Sequence, residues 1–189
     1  MDLYHIALYL HIIAIVVASG ATTVTKLAAA RRASARTVGD ALDWHNVLMS
    51  ASKAFPIVLA VFVLTGAFML SRGQPSVWGS GFVVAGLTGV VLLFASGTYL
   101  GLKGKALGGF LQSLAAKGTE QPAPRLVPPP LVATLPMINT GIALAVAFDM
   151  VTKPVSVPVA LGIVALGIAI TAALGARRRP APVATRATA

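Results

Sequence analysis

The sequence predicts an all-α, polytopic transmembrane bundle of five helices, N-terminus outside and C-terminus cytoplasmic. Three observations carry that prediction. The 189-residue chain is 57% hydrophobic and 11% charged, with a mean hydropathy of +0.85, more apolar than a water-soluble surface can accommodate. Five apolar stretches are each long enough to cross ~30 Å of hydrocarbon at ~1.5 Å per residue. The basic residues alternate between the gaps that separate those stretches. Lys26, Arg31, Arg32 and Arg36 form one cluster, Lys103, Lys105, Lys117 and Arg125 a second, and Arg177, Arg178, Arg179 and Arg186 a third. The intervening gaps hold only Arg72 and Lys153, and Lys53 lies inside an apolar run. That is the positive-inside pattern, with the clusters facing the cytoplasm.

The first span runs about 3–27. The small residues Ala18, Ser19, Gly20 and Ala21 resemble a cleavage site, but a signal peptide carries its positive charge before the apolar core, and here the basic cluster follows it. The Ala- and Arg-rich connection predicts that this helix extends beyond the membrane. A new helix is expected near Thr37, where Thr37 and Asp40 make a capping box. The second span covers about 47–70, preceded by Asp40, Asp43, Trp44 and His45 at the inner interface. A short connection through Arg72, Gly73, Gln74 and Pro75 leads into the third span, about 78–102, as an antiparallel hairpin.

Ala106 to Ala115 is then expected as a short interfacial helix, followed by a proline-rich linker through Pro122, Pro124 and Pro128 to Pro130. The fourth span, about 131–151, and the fifth, about 155–176, are joined by a tight turn around Lys153 and Pro154. Residues 177–189 are expected to be a disordered basic cytoplasmic tail. Small residues four apart mark candidate helix contacts: Ala85 with Gly89, Gly97 with Gly101, and Ala165, Ala169 and Ala173.

The net charge of +10 and pI near 11.0 would suggest nucleic acid in a soluble protein. Here the charge sits in loops and tail, so the expected partners are the bilayer, with anionic lipid at the cytoplasmic face, and a homo-oligomer or another membrane protein; nucleic acid is not expected. With no cysteine, disulfides, thiolate metal sites and thiol catalysis are excluded. There is no phosphate-binding Gly loop, no HExxH, no intramembrane carboxylate pair and no Ser/His pair of defined spacing, so hydrolytic or phosphoryl-transfer catalysis is not expected.

His11 is the leading candidate for ligand binding, eight residues into the first helix and so ~12 Å below its outer edge. The equivalent levels on the other spans, near Val63, Leu87, Ile142 and Ile163, offer no second His or Met. A two-His haem site within one chain is therefore disfavoured, and a five-coordinate haem or a site shared across a dimer stays open. The alternative for His11 is a hydrogen bond to a neighbouring helix. His5 is ~120° away around the helix and belongs to the outer rim. Asp149 is expected to form a solvated pair with Lys153, or to meet His5 across helices.

Lys53 lies ~10 Å inside the second span. Either it snorkels to the headgroups, or it faces a polar, inward-opening pocket with Asn139 and a hydroxyl from Thr23, Ser96 or Tyr99, near the helix distortions at Pro56 and Pro136.

Leu10, His11, Ile12, Ile13 and Ala14, followed by Ala18, Ser19, Gly20 and Ala21, resemble the first helix of small bacterial integral-membrane families of unknown function. More distantly they look like the copper-resistance D type and the haem-handling protoporphyrinogen oxidase membrane type. Those families tend to follow a Leu-His start with a Trp-x-Gly-Gly-like step; here the Trp is missing and one Gly is Ala. The resemblance covers one helix of five and implies His11 as a ligand of haem or metal, without transferring an activity. The expected function is a non-enzymatic accessory or ligand-binding protein of the inner (plasma) membrane. The alternatives are a subunit of a small-solute permease, with Lys53 and Asn139 facing the pocket, or a purely structural subunit.

Overall fold

A computed structural model describes residues 2–72 and 75–177. Among them the chain is all-helical, and five helical segments are long and apolar enough to cross a membrane. The predicted disordered tail lies almost wholly outside the described residues.

The elements are α1 (Leu3–Ala33), α2 (Val38–Ser52), α3 (Ala54–Ser71), a 3-10 turn (Pro75–Gly79), α4 (Gly81–Ala115), α5 (Pro130–Thr152) and α6 (Val157–Arg177). The 31 residues of α1 and 35 of α4 reach about 46 and 52 Å, longer than a ~30 Å core, so both project beyond it. Asp2 opens α1 by accepting from the Tyr4 amide at 3.3 Å. Thr37 opens α2 by accepting from the Asp40 amide at 3.2 Å, the near half of the box its sequence announces.

The second span is one continuous rod in its apolar pattern, yet it breaks at Lys53 into α2 and α3. Pro56 has no N–H for the Ser52 carbonyl four residues back, and the Lys53 amide turns to Ser50 O at 3.2 Å, three back instead of four. Pro136 leaves α5 helical, and Pro130 stands at its start, where a missing N–H costs nothing.

One expectation for the longest connection is corrected and a second narrowed. Ala106 to Ala115 is no separate interfacial helix: nothing in Lys103 to Ala106 interrupts the backbone, and α4 continues through them, with Leu111 fully buried. The head of the connection is not free either. The Thr119 and Gln121 carbonyls, just before the first proline, cap α2, with Val38 N donating to Gln121 O and Gly39 N to Thr119 O, both at 2.9 Å, while Ala123 N donates to Arg36 O at 2.9 Å. The proline-rich stretch from Arg125 to Pro130 stays exposed, as a linker would. The two loops that carry the first two basic clusters are thus tied at one end of the bundle, called below the basic end.

The helices form two groups. In one, α1 packs on α2 and α3; in the other, α4, α5 and α6 pack on each other. The groups meet mainly through α2 against α4, while α3 only touches α4, and α1 packs against none of α4, α5 and α6. An apolar groove of about 550 Å³ consequently opens between α3 and α4, lined by Pro56, Leu59, Val63, Leu64, Val90 and Phe94 among others.

The second group is held by close backbone approach, the substitute for hydrophobic drive in lipid. Ala85, Ala145, Ala160 and Val164 form its buried core. A Cβ on Gly89 would strike Val146 Cγ2, and one on Gly141 would overlap the Gly167 carbonyl and the Thr171 hydroxyl. The Ala85/Gly89 face therefore packs inside the chain. Gly97 and Gly101 have nothing within 4 Å of an added Cβ. On α6 the packed face is Ala160, Val164 and Gly167; Ala165, Ala169 and Ala173 are exposed, because the seam follows the side that meets α5.

Candidate functional site

Four polar assemblies interrupt this apolar framework. The first is built on His11. Its Nδ1 lies 2.8 Å from Thr65 Oγ1 on α3, and its ring meets Phe62 edge-on with centroids 4.8 Å apart. Thr65 settles the proton. Its hydroxyl donates to the Val61 carbonyl at 2.6 Å, so its oxygen is left to accept, and His11 Nδ1–H is the donor. Nε2 then keeps its lone pair and bonds no described residue. An imidazole whose far N–H is held by a neighbour is the arrangement a metal-ligating histidine adopts. Of the two alternatives the sequence leaves for His11, the interhelix hydrogen bond is present and occupies Nδ1.

No further ligand stands beside it: among the described residues no three His, Cys, Asp or Glu converge as a metal cluster. The apolar groove is on the wrong side. On a 3.6-residue helix its α3 residues centre roughly 150° from Phe62 and Thr65. His5 is remote from both His11 and Asp149, at the exposed start of α1, 4.0 Å from Asp2 and edge-on to Tyr4.

The second assembly is a polar layer between α1, α4 and α5. Lys26 Nζ donates to Thr140 Oγ1 at 2.9 Å, and Ser96 Oγ donates to Asn139 Oδ1 at 2.8 Å. Lys103 Nζ lies 5.6 Å from the centroid of the Tyr99 ring. Lys53 is not part of it: its side chain is exposed at the α2–α3 break, and α3 does not pack against α5. Asn139 and Tyr99 are thus placed in the layer, and the lysine that reaches it is Lys26, which the charge pattern alone assigns to a loop cluster.

The third assembly ties α1, α2 and α4 at the basic end. Arg32 Nη1 lies 3.0 Å from His45 Nδ1, and His45 is 2% exposed. A guanidinium has no lone pair to offer, so the imidazole accepts at Nδ1 and is neutral. The Gly104 backbone lies close enough to act on the ring, and a Cβ on Gly108 would come within 2.8 Å of Nε2. His45 lies before the apolar span that begins near residue 47. Burial first and the Arg32 charge second push its pKa below the ordinary 6.5, against an upward pull from the Gly104 backbone.

The fourth is Asp149, which corrects the solvated pair with Lys153. Asp149 is 0% exposed, and neither carboxylate oxygen has a hydrogen-bond partner. One turn from Ala145, it shares the face that packs into the second group. Lys153 bonds only through its backbone: it takes a left-handed conformation, φ 48°, and donates its amide to Asp149 O at 2.8 Å to end α5. Sequence spacing places the two side chains one turn apart; the left-handed cap ends the helix before that spacing applies.

Comparison with known proteins finds no family model, no curated protein and no solved structure that matches this chain.

Proposed function

We propose that this chain is a multi-pass protein of the bacterial inner membrane, N-terminus outside and basic end in the cytoplasm, and that it acts as a non-enzymatic accessory protein binding haem or a metal through His11 Nε2. The orientation rests on the charge asymmetry, since the connections at the basic end carry nearly all the lysine and arginine. Reporter fusions at Arg72 and at the C-terminus test it: activity of a periplasmic reporter is expected at Arg72 and absent at the C-terminus. The reverse result overturns the topology.

The observation that supports the ligand reading is the Thr65 bond to Nδ1, which orients the ring and frees Nε2. The donor set suits a single axial bond from a neutral imidazole beside an aromatic edge, so a bound haem is five-coordinate or takes its second ligand from another chain. Protein purified from haem-supplied cells is expected to show a Soret band that His11→Ala abolishes and Thr65→Val weakens. A colourless wild-type protein sinks the haem version, and a matching metal analysis without His11-dependent metal sinks the other. The permease alternative needs Lys53 and Asn139 at one pocket; Lys53 is exposed at the α2–α3 break, and Asn139 bonds Ser96 instead, so the observation that supports a function is the one at His11.

A further inference from the structure

The Lys26 layer is a place where the chain supplies donors and no matching charge. α1 and α5 do not pack against each other, and among the described residues the bond between them is Lys26 to Thr140. Thr140 Oγ1 donates to Pro136 O at 2.9 Å, so it uses its proton elsewhere and meets the ammonium as an acceptor. Two N–H groups of Lys26 are left over, and the side chain is exposed. Among the described residues no lysine or arginine forms an ion pair with a carboxylate; the only pair is His5 with Asp2. Next to Thr140 the Asn139 amide N–H₂, and on α4 the Tyr99 hydroxyl, bond no described residue, since Asn139 is engaged through its oxygen alone. Lys103 stands one turn beyond Tyr99 on the same face of α4. The layer thus offers two cations, the Asn139 amide donors and the Tyr99 hydroxyl, with no carboxylate paired to either lysine, and Lys26 is exposed where α1 and α5 stand apart.

We infer that this gap is a binding site for the headgroup of an anionic phospholipid, with the phosphate between Lys26 and Lys103 and the Asn139 amide and Tyr99 hydroxyl available to the headgroup oxygens. The charge complementarity is one-sided in the way such a lipid requires, and α1 and α5, which do not pack together, leave room for a headgroup at the end of the apolar spans. Basic recesses between helices on the cytoplasmic side are where headgroups of this class are held. Free inorganic phosphate shares the headgroup's charge but has no tails to hold it at the end of the apolar spans.

Native mass spectrometry of the full chain, released from micelles doped with phosphatidylglycerol or phosphatidylcholine, tests the site. Phosphatidylglycerol is expected to be retained in preference, as one tightly held copy. Lys26→Gln is expected to weaken that retention about fivefold, and Asn139→Leu to weaken it with no change in charge, while Lys26→Arg keeps it. Because Asn139→Leu alters no charge and Lys26→Arg keeps the bridge, a misfolded Lys26→Gln protein does not decide the matter. Equal retention of the two lipids overturns the site. So does an equal loss in Arg31→Gln with Arg36→Gln, which would show a general surface effect, and so does displacement of the lipid by millimolar inorganic phosphate, which would make the ligand a free anion.

Discussion

Replacing Gly141 with valine is expected to part α5 from α6 and to destabilise the fold severely. A Cβ at 141 would overlap two atoms that cannot retreat independently, because Thr171 Oγ1 already donates to Gly167 O at 2.7 Å. The reciprocal approach is as close: a Cβ on Gly167 would come within 2.8 Å of Gly141 O and 3.0 Å of Ala145 Cβ. Overpacking in an ordinary core costs ~1–3 kcal/mol, and a backbone-to-backbone seam with no flexible side chain to yield belongs at the top of that range. In lipid there is no hydrophobic term to hold separated helices together, so the loss is not recovered by repacking. The matched control is Gly101→Val on α4, where an added Cβ meets nothing within 4 Å. Thermal unfolding in detergent is expected to show a large drop in midpoint for Gly141→Val and little for Gly101→Val; equal drops would mean that the α5–α6 seam does not hold the fold.

The contrast between those two glycines shows what the sequence does and does not disclose. Hydropathy and length are local sums, so the five long apolar segments were legible, as was the Thr37 cap, whose partner is three residues away. Both Gly97/Gly101 and Ala165/Ala169/Ala173 read as packing faces by the same spacing as Ala85/Gly89, yet within the chain only the last is used. Which face of a helix meets a neighbour depends on where the neighbour lies, and that is not a periodic property of one segment.

The candidate site was legible in the same partial way. His11 stands out because an imidazole inside an apolar run is rare, but its proton position is fixed by Thr65, 54 residues away. Lys53 drew notice for its depth, whereas the lysine that reaches the polar layer is Lys26, hidden among loop charges. Asp149 looked like a surface pair because Lys153 follows at helical spacing; the turn made by Lys153 itself removes that partner, and the signal would have been a carboxylate one turn from the small residue Ala145. An acidic cleft of about 430 Å³ at the basic end, lined by Asp40, Asp43 and Glu120 among others, was also out of reach, since Glu120 arrives there only because the second loop docks on α2.

Breaking the Arg32–His45 bond is expected to loosen the basic end, the place where the two helix groups are joined. Arg32→Leu removes a charged donor to a buried acceptor, a change worth ~1.5–3 kcal/mol, and it acts where α2 meets α4 and the α3–α4 contact offers little support. Acid should do the same without a mutation. The folded protein holds His45 neutral with its pKa below 6.5, so the unfolded chain takes up the proton first. The stabilisation is then complete above about pH 6.5 and is lost as the pH falls from there toward the folded value. A protonated imidazole also cannot accept from Arg32 and sets two cations side by side, and no carboxylate pairs with Arg32 to relieve them. The thermal midpoint of the wild-type protein is accordingly expected to be level above about pH 7 and to fall toward pH 5. Glutamine at 45 has an acceptor for Arg32, a donor for Gly104 and no proton to gain near neutrality, so His45→Gln should retain much of the stability and flatten that fall. A slope unchanged by His45→Gln would assign the acid sensitivity to another group and leave the histidine as packing alone.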